Sequence, residues 1–250
     1  MRILLTNDDG IDAPGLSALA QVLAEGNELW TVAPATERSA ASHGFTFHRS
    51  YEARRLGPRT FALQASPTDC VMYATEVLGA AFDLVVSGIN PGYNIGWDMT
   101  YSGTVGAALE GLQRGIASLA CSVGAAAGAH PFDRAARALA ALVRLGLVSR
   151  LPAGTGLNVN VPPDPARGYR WARPGAYVHN VNSLEVRTLA DGLEEVEVVQ
   201  RHLVPDPAPG TDGAAVRQGF VALSLFTPGP SSPPVPDGLG AFTDGLAVPS

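Results

Sequence analysis

Short apolar runs alternate with stretches of helical periodicity through the first half of the chain, and this alternation restricts the fold more than any other feature. It is the pattern of βαβ units and a mostly parallel sheet. Ile3-Leu4-Leu5, Leu29 to Ala33, Phe61-Ala62-Leu63, Leu84-Val85-Val86 and Ser118 to Val123 read as strands, and Leu157 to Val161 closes the series. Between them, Leu16, Leu19, Ala20 and Leu23 fall at helical spacing after Pro14-Gly15. Val105, Ala108, Leu109 and Leu112 do the same, as do Phe132, Ala135, Leu139, Leu142 and Val143. A further helix is expected from Pro67 to about Leu78: Ser66 can cap it, Pro67 suits the first helical position, and Asp69 stands three residues after the cap. With 250 residues, 46% of them hydrophobic, the chain can bury one α/β core and carry an extension.

The texture changes after Pro163, so the core is expected over 1–163 and a C-terminal extension over 164–250. Within the extension, Val181 to Leu203 holds two alternating apolar and polar segments around Asp191-Gly192, a strong hairpin signal. An isolated hairpin is marginal in water, so Val196, Val198 and Val199 are expected to be covered by a second subunit, giving a homodimer or homotetramer. Residues 204–213 and 227–238 are rich in Pro and Gly and read as linkers or surface loops. A formal net charge of −6 without a long basic run argues against nucleic acid or anionic membrane as the main partner. Met1-Arg2 leads into too few apolar residues for a signal-peptide core, and no stretch approaches a membrane span. A soluble cytoplasmic protein is expected, with Cys70 and Cys121 as small buried hydrophobes.

Chemistry-bearing residues collect where the strands end. Thr6-Asn7-Asp8-Asp9-Gly10 puts two adjacent carboxylates where the first strand empties into a loop, the place where open parallel sheets bind ligands. Two neighbouring carboxylates at a buried strand end repel unless a cation or a shared proton compensates. The plainer reading is a turn, for which Asn-Asp-Asp-Gly is also suitable. Ser39 lies in the loop after the second strand, and Asn90 in a loop, Ser87 to Gly96, rich in Gly and Asn. That composition lets backbone amides approach a ligand. Ser102 or Gly103 would then stand at a helix N-terminus with Thr104, an arrangement that attracts phosphate, although ordinary capping explains the same residues. The five histidines show no metal-ligand spacing. His43, near Ser39, is a candidate proton donor to a leaving alkoxide, against a simpler reading as a packed or surface residue. Asp69 reads as a helix cap, and Arg38 as a reasonable phosphate contact.

Several of these motifs, taken jointly and in order, resemble the survival protein SurE family. They are Thr6-Asn7-Asp8-Asp9-Gly10, Val32-Ala33-Pro34 with Arg38-Ser39, Pro67-Thr68-Asp69-Cys70-Val71, Val85 to Asn90, Tyr101 to Gly106, and Asn158-Val159-Asn160-Val161-Pro162. The resemblance implies a three-layer α/β/α, Rossmann-like fold and a metal-dependent phosphomonoesterase acting on nucleoside 5′- and 3′-monophosphates, with polyphosphate as a further candidate substrate. It implies that Asp8, Asp9, Ser39 and Asn90 hold one divalent cation per subunit, Mg²⁺ or Mn²⁺, with Asp8, Asp9 and Asn90 catalytic. Asn94, Ser102, Gly103 and Thr104 would cradle the phosphate. Some members of the family exchange a C-terminal segment between subunits, and here Ser224-Leu225-Phe226 replaces the family's usual Thr-Pro-Leu. Two rivals fit less well. One is a haloacid-dehalogenase-like phosphatase with an aspartyl-phosphate, which wants two acids separated by one residue rather than adjacent ones. The other is a nucleotide-binding sensor without turnover.

Overall fold

The computed structural model describes residues 1–125, 131–176, 180–189, 192–202 and 207–229. The strands are β1 (Arg2–Thr6), β2 (Glu28–Pro34), β3 (Ala53–Gly57), β4 (Thr60–Leu63), β5 (Leu84–Pro91), β6 (Ala117–Val123), β7 (Gly156–Val161), β8 (Tyr169–Trp171), β9 (Asn180–Thr188), β10 (Glu194–His202) and β11 (Val221–Phe226). The helices are α1 (Pro14–Leu23), α2 (Pro67–Met72), α3 (Gly103–Gln113), α4 (Phe132–Arg144) and α5 (Asp212–Arg217). Nine strands form one sheet in the order β3-β4-β2-β1-β5-β6-β7-β11-β8. From β4 to β7 every pairing is parallel; β3 against β4 and β11 against β7 are antiparallel.

Alternation along β1 sets the layers. Ile3 and Leu5 face one apolar cluster with Leu16 and Leu19 of α1 and Leu139 of α4, whereas Leu4 faces another with Cys70 and Val71 of α2 and Ala107 of α3. Successive strand side chains point to opposite faces, so a run without polar residues is what a sheet covered on both sides requires. The result is the expected three-layer α/β/α sandwich. The sheet also places the carboxyl ends of β1, β2 and β5 side by side, the crevice position for a ligand.

Several elements depart from the sequence reading. The helix begun at Pro67 is α-helical only to Met72 and continues as a π-helical turn over Tyr73–Val77. Strand β3 was not foreseen because its Ala-Arg-Arg-Leu residues are exposed and carry no apolar alternation. The expected boundary at 163 does not coincide with the edge of the sheet. The chain returns through α5 and β11, whose Val221, Ala222 and Leu223 are buried, and β11 pairs with β7. Of residues 204–213, expected as linker or loop, 204–206 lie outside the described residues, and 211–213 form the N-cap and first turn of α5, where the Thr211 side chain accepts from Ala214 N.

The expected hairpin is present as a separate two-stranded sheet of β9 and β10. Gly192 has φ of 82°, suiting the turn, while Asp191 and Leu203 lie outside the described residues. The tail from 230 onward also lies outside them. Cross-strand partners Val186 with Val196 and Leu184 with Val198 present one exposed apolar face. Among the described residues, no helix is long and apolar enough to cross a membrane.

Candidate active site at the strand ends

The loop after β1 is first of all a well-made turn. Asn7 Nδ2 donates to Gly10 O (2.9 Å), Gly10 N donates back to Asn7 Oδ1 (3.2 Å), and Gly10 takes φ of 109°. What the turn holds is less ordinary. Asp8 is only 5% exposed, and burial raises its carboxyl above the usual range, partly offset by the Thr104 hydroxyl and by the amides of Thr104 and Gly103. Burial, then the Asp8 and Glu37 carboxylates, push Asp9 up to about 7. Asp9 Oδ2 is buried and has no hydrogen-bond partner within the protein. A buried carboxylate oxygen left unpaired beside a second carboxylate fits a cation as its partner.

Helix α3 closes the other side. Its first residues come directly against Asp8: a Cβ on Gly103 would lie 2.8 Å from Asp8 Cβ, so only glycine admits this approach. The Thr104 hydroxyl donates to Asp8 Oδ1 and stands 3.5 Å from Asn90 Oδ1, and this brings Asp8, Thr104 and Asn90 together. Ser102 caps the helix, its oxygen accepting from Val105 N at 3.1 Å. The capping reading of Ser102 holds, and the helix N-terminus faces the acidic corner.

Ser39 is placed less directly. It is exposed, and its hydroxyl donates to Glu37 Oε1 at 2.6 Å rather than meeting Asp8 or Asp9. The adjacent Arg38 N donates to Asp8 O at 2.7 Å and so fixes this loop beside the β1 turn. Asn94 is turned partly inward. Its Nδ2 donates to Ser122 Oγ (2.9 Å), its amide donates to Asn160 Oδ1 (2.9 Å), and its carbonyl accepts from Asn158 (2.7 Å) and Asn160 (3.1 Å). The side-chain nitrogen thus gives one of its two protons to the scaffold. His43 is paired as well, with Nε2 3.0 Å from Glu110 Oε2 on α3. Asp69 is the expected cap and more: it completes a capping box with Ser66 and also accepts from Thr46 N at 3.0 Å and Thr46 Oγ1 at 2.7 Å. Asp8 takes the Thr104 hydroxyl, while Asp9 lies under the charges of Asp8 and Glu37.

Three supporting residues received no role from the sequence. Asp212, fully buried, accepts from Gly96 N (2.8 Å) and Gly175 N (3.0 Å) and so ties the Gly/Asn loop to α5. Its available signal was an acid directly after Thr211 in a Gly- and Pro-rich stretch. Asn158 and Asn160 alternate along β7 and aim at the same loop, a spacing that marks one face of a strand. Among the described residues no three His, Cys, Asp or Glu side chains cluster as metal ligands. A cation here would rest on two carboxylates completed by neutral oxygens, a donor set suited to Mg²⁺ or Mn²⁺ and poor for Zn²⁺.

A family model described as survival protein SurE matches residues 3–180. The 5′-nucleotidase SurE of Anaeromyxobacter sp. (strain Fw109-5) is 42% identical over 247 residues, covering 97% of this chain and 96% of that relative. That of Citrifermentans bemidjiense is 40% identical over 230 residues, covering 90% and 92%. The crystal structure of SurE protein from Aquifex aeolicus superposes with a TM-score of 0.80 at 30% identity, covering 92% of this chain and 94% of that one.

Proposed function

The chain belongs to the survival protein SurE family, and on that premise we propose that it is a 5′-nucleotidase whose reaction takes place between the β1 turn and the α3 N-terminus. The substrate is a nucleoside monophosphate, hydrolysed to nucleoside and phosphate. The observation that carries the location is the buried pair Asp8 and Asp9, with Asp9 Oδ2 unpartnered and Thr104 linking Asp8 to Asn90. We assign one divalent cation, Mg²⁺ or Mn²⁺, to Asp8, Asp9, Ser39 and Asn90. When bound, it supplies charge neutralisation and Lewis-acid polarisation at the phosphoryl group.

The protein's own groups position and discriminate. Thr104 orients the Asp8 carboxylate through its hydroxyl, and the buried Asn7 bridge holds the two acids in one turn. The positive dipole end of α3 favours an anionic phosphate near Ser102, Gly103 and Thr104. With its oxygen engaged as the cap, Ser102 keeps its hydroxyl proton for donation. Asn94 contributes chiefly by rigidifying the loop through Asn158, Asn160 and Ser122. Burial and the Asp8 and Glu37 charges push Asp9 up to about 7 in the cation-free protein, and a cation bound there would favour its carboxylate form. We further propose a homodimer or homotetramer in the cytoplasm, with the exposed apolar face of the β9–β10 hairpin covered by another subunit.

Phosphate release from a panel of nucleoside 5′- and 3′-monophosphates and inorganic polyphosphate tests the assignment. Release from the 5′-monophosphates is expected. Release from none of them, with Mn²⁺ supplied, would reject it.

A further inference from the structure

One face of α3 runs away from the acidic corner through Gly103, Gly106 and Glu110, residues three and four apart and therefore stacked along the helix. Gly103 meets Asp8; Gly106 meets the loop that carries Ser39, since a Cβ there would lie 2.1 Å from Ser42 O and 3.0 Å from His43 Cα. Glu110, 7% exposed, accepts from His43. Burial pushes the Glu110 carboxyl up, but hydrogen bonds from His43 and Arg114 outweigh it, so the group lies below its usual value and is held as a carboxylate. A carboxylate only accepts, so His43 Nε2 carries the proton. Arg114 completes the row, with Nε 2.7 Å from Glu110 Oε1 and Nη1 2.5 Å from Glu76 Oε1. The same loop is pinned a second time by Ser42, whose N donates to Tyr101 O (3.0 Å) and whose hydroxyl donates to Thr100 O (2.6 Å).

We propose that Glu110 and His43 form a latch that sets the position of Ser39 at the site, so that one helix fixes both halves of the ligand set: Asp8 through Thr104, and the Ser39 loop through His43. The inference rests on the site assigned above. It makes His43 a positioning residue and not a proton donor. Glu110 follows Thr104 by six residues, about 9 Å along the helix axis at about 1.5 Å per residue, and the pairing draws the imidazole that way, away from the phosphate end. Ser39 itself is exposed and, among the described residues, its hydroxyl is held by Glu37, so its place at the site depends on the bonds that hold its loop: Arg38 N to Asp8 O on one side, Ser42 and the His43–Glu110 pair on the other. A glycine at 106 allows the contact, and a buried acid at 110 has a role that an exposed helix position would not give it.

The test titrates Mn²⁺ into the metal-stripped, full-length protein by calorimetry, beside kcat and KM for a nucleoside 5′-monophosphate. The parent is compared with His43→Ala, His43→Gln, Glu110→Gln and the His43→Ala/Glu110→Gln double variant, with circular dichroism confirming each fold. His43→Ala is expected to weaken Mn²⁺ binding about tenfold, to lose little kcat at saturating metal, and to be largely restored by His43→Gln, whose amide can still donate to Glu110. The double variant should be no weaker than the single ones, because both remove the same link. An Mn²⁺ Kd within twofold of the parent in folded His43→Ala overturns the latch. So does a fall in kcat at saturating Mn²⁺ with unchanged Kd, which would make His43 a proton donor. If His43→Ala fails to fold, an Mn²⁺ Kd for folded Glu110→Gln within twofold of the parent likewise overturns it. A parent that binds no Mn²⁺ fails differently, by removing the metal site itself.

Discussion

Replacing Asp8 with Asn should stabilise the metal-free protein at alkaline pH and do almost nothing at acid pH. The folded state raises Asp9 from 3.8 to about 7, with burial the largest cause and the Asp8 and Glu37 charges next. A group raised on folding binds its proton more tightly in the native state, so its contribution is fully present below about pH 4 and is lost as pH rises through about 7. Three pH units correspond to about 4 kcal/mol, which solvent at this partly open site reduces to about 2. Asp8→Asn removes the neighbouring charge and the cost of burying Asp8 ionised, while the amide oxygen still accepts from Thr104. A gain of about 1 kcal/mol at pH 8 follows, or about 2–4 °C in melting temperature for a chain of this length. Thermal unfolding in chelator at pH 5 and pH 8, for parent and variant, measures it. A lower melting temperature for the variant at pH 8, or an equal gain at pH 5 where Asp9 already holds its proton, would refute the reasoning.

Other outcomes follow from the same contacts. Gly103→Ala, whose Cβ would sit 2.9 Å from Asp8 Oδ2, should cut kcat/KM at least about 100-fold for a net stability loss of only about 1 kcal/mol, because better helix propensity offsets part of the overpacking; near-parental kcat/KM would count against close approach at this point. Asp69→Ala removes the capping box and the anchors to Thr46 and should cost about 3 kcal/mol in urea unfolding, whereas a loss below about 1 would show that these bonds are replaceable. Val198→Glu, on the exposed hairpin face, should shift a homodimer or homotetramer to monomers in light scattering, and a parent that is monomeric at micromolar concentration would end the assembly proposal.

The parallel core was legible because local pattern and tertiary demand coincide there. Ile3-Leu4-Leu5 has no polar residue since both of its faces are covered, and Ser66-Pro67-Thr68-Asp69 announces a helix start that the structure keeps. Strand β3 was not legible: Arg54 and Arg55 lie exposed at the sheet edge, so no burial pattern marks them. The return of β11 beside β7 depends on pairing across about 60 residues, which no local window records. The carboxylates were found because two adjacent acids at a strand end are costly. Their supports were harder to see. Glu110 drew no reading, and its burial shows only once His43 and Arg114 are set against it; Asp212 reads as loop until it accepts from Gly96. The resemblance put Asn94 at the phosphate, and the structure adds that one of its side-chain protons goes to Ser122, a contact across the sheet that no local window records.

The most direct test of the central claim joins metal occupancy to turnover. Metal-stripped protein is titrated with Mn²⁺ while binding and phosphate release from a nucleoside 5′-monophosphate are followed on the same samples, for the parent, Asp8→Asn and Asp9→Asn. One ion per subunit should bind the parent, release should rise in proportion to its occupancy from a near-zero baseline, and both should be largely lost in the two variants. Full release in the stripped parent, or tight Mn²⁺ binding that survives in both variants, would contradict the account.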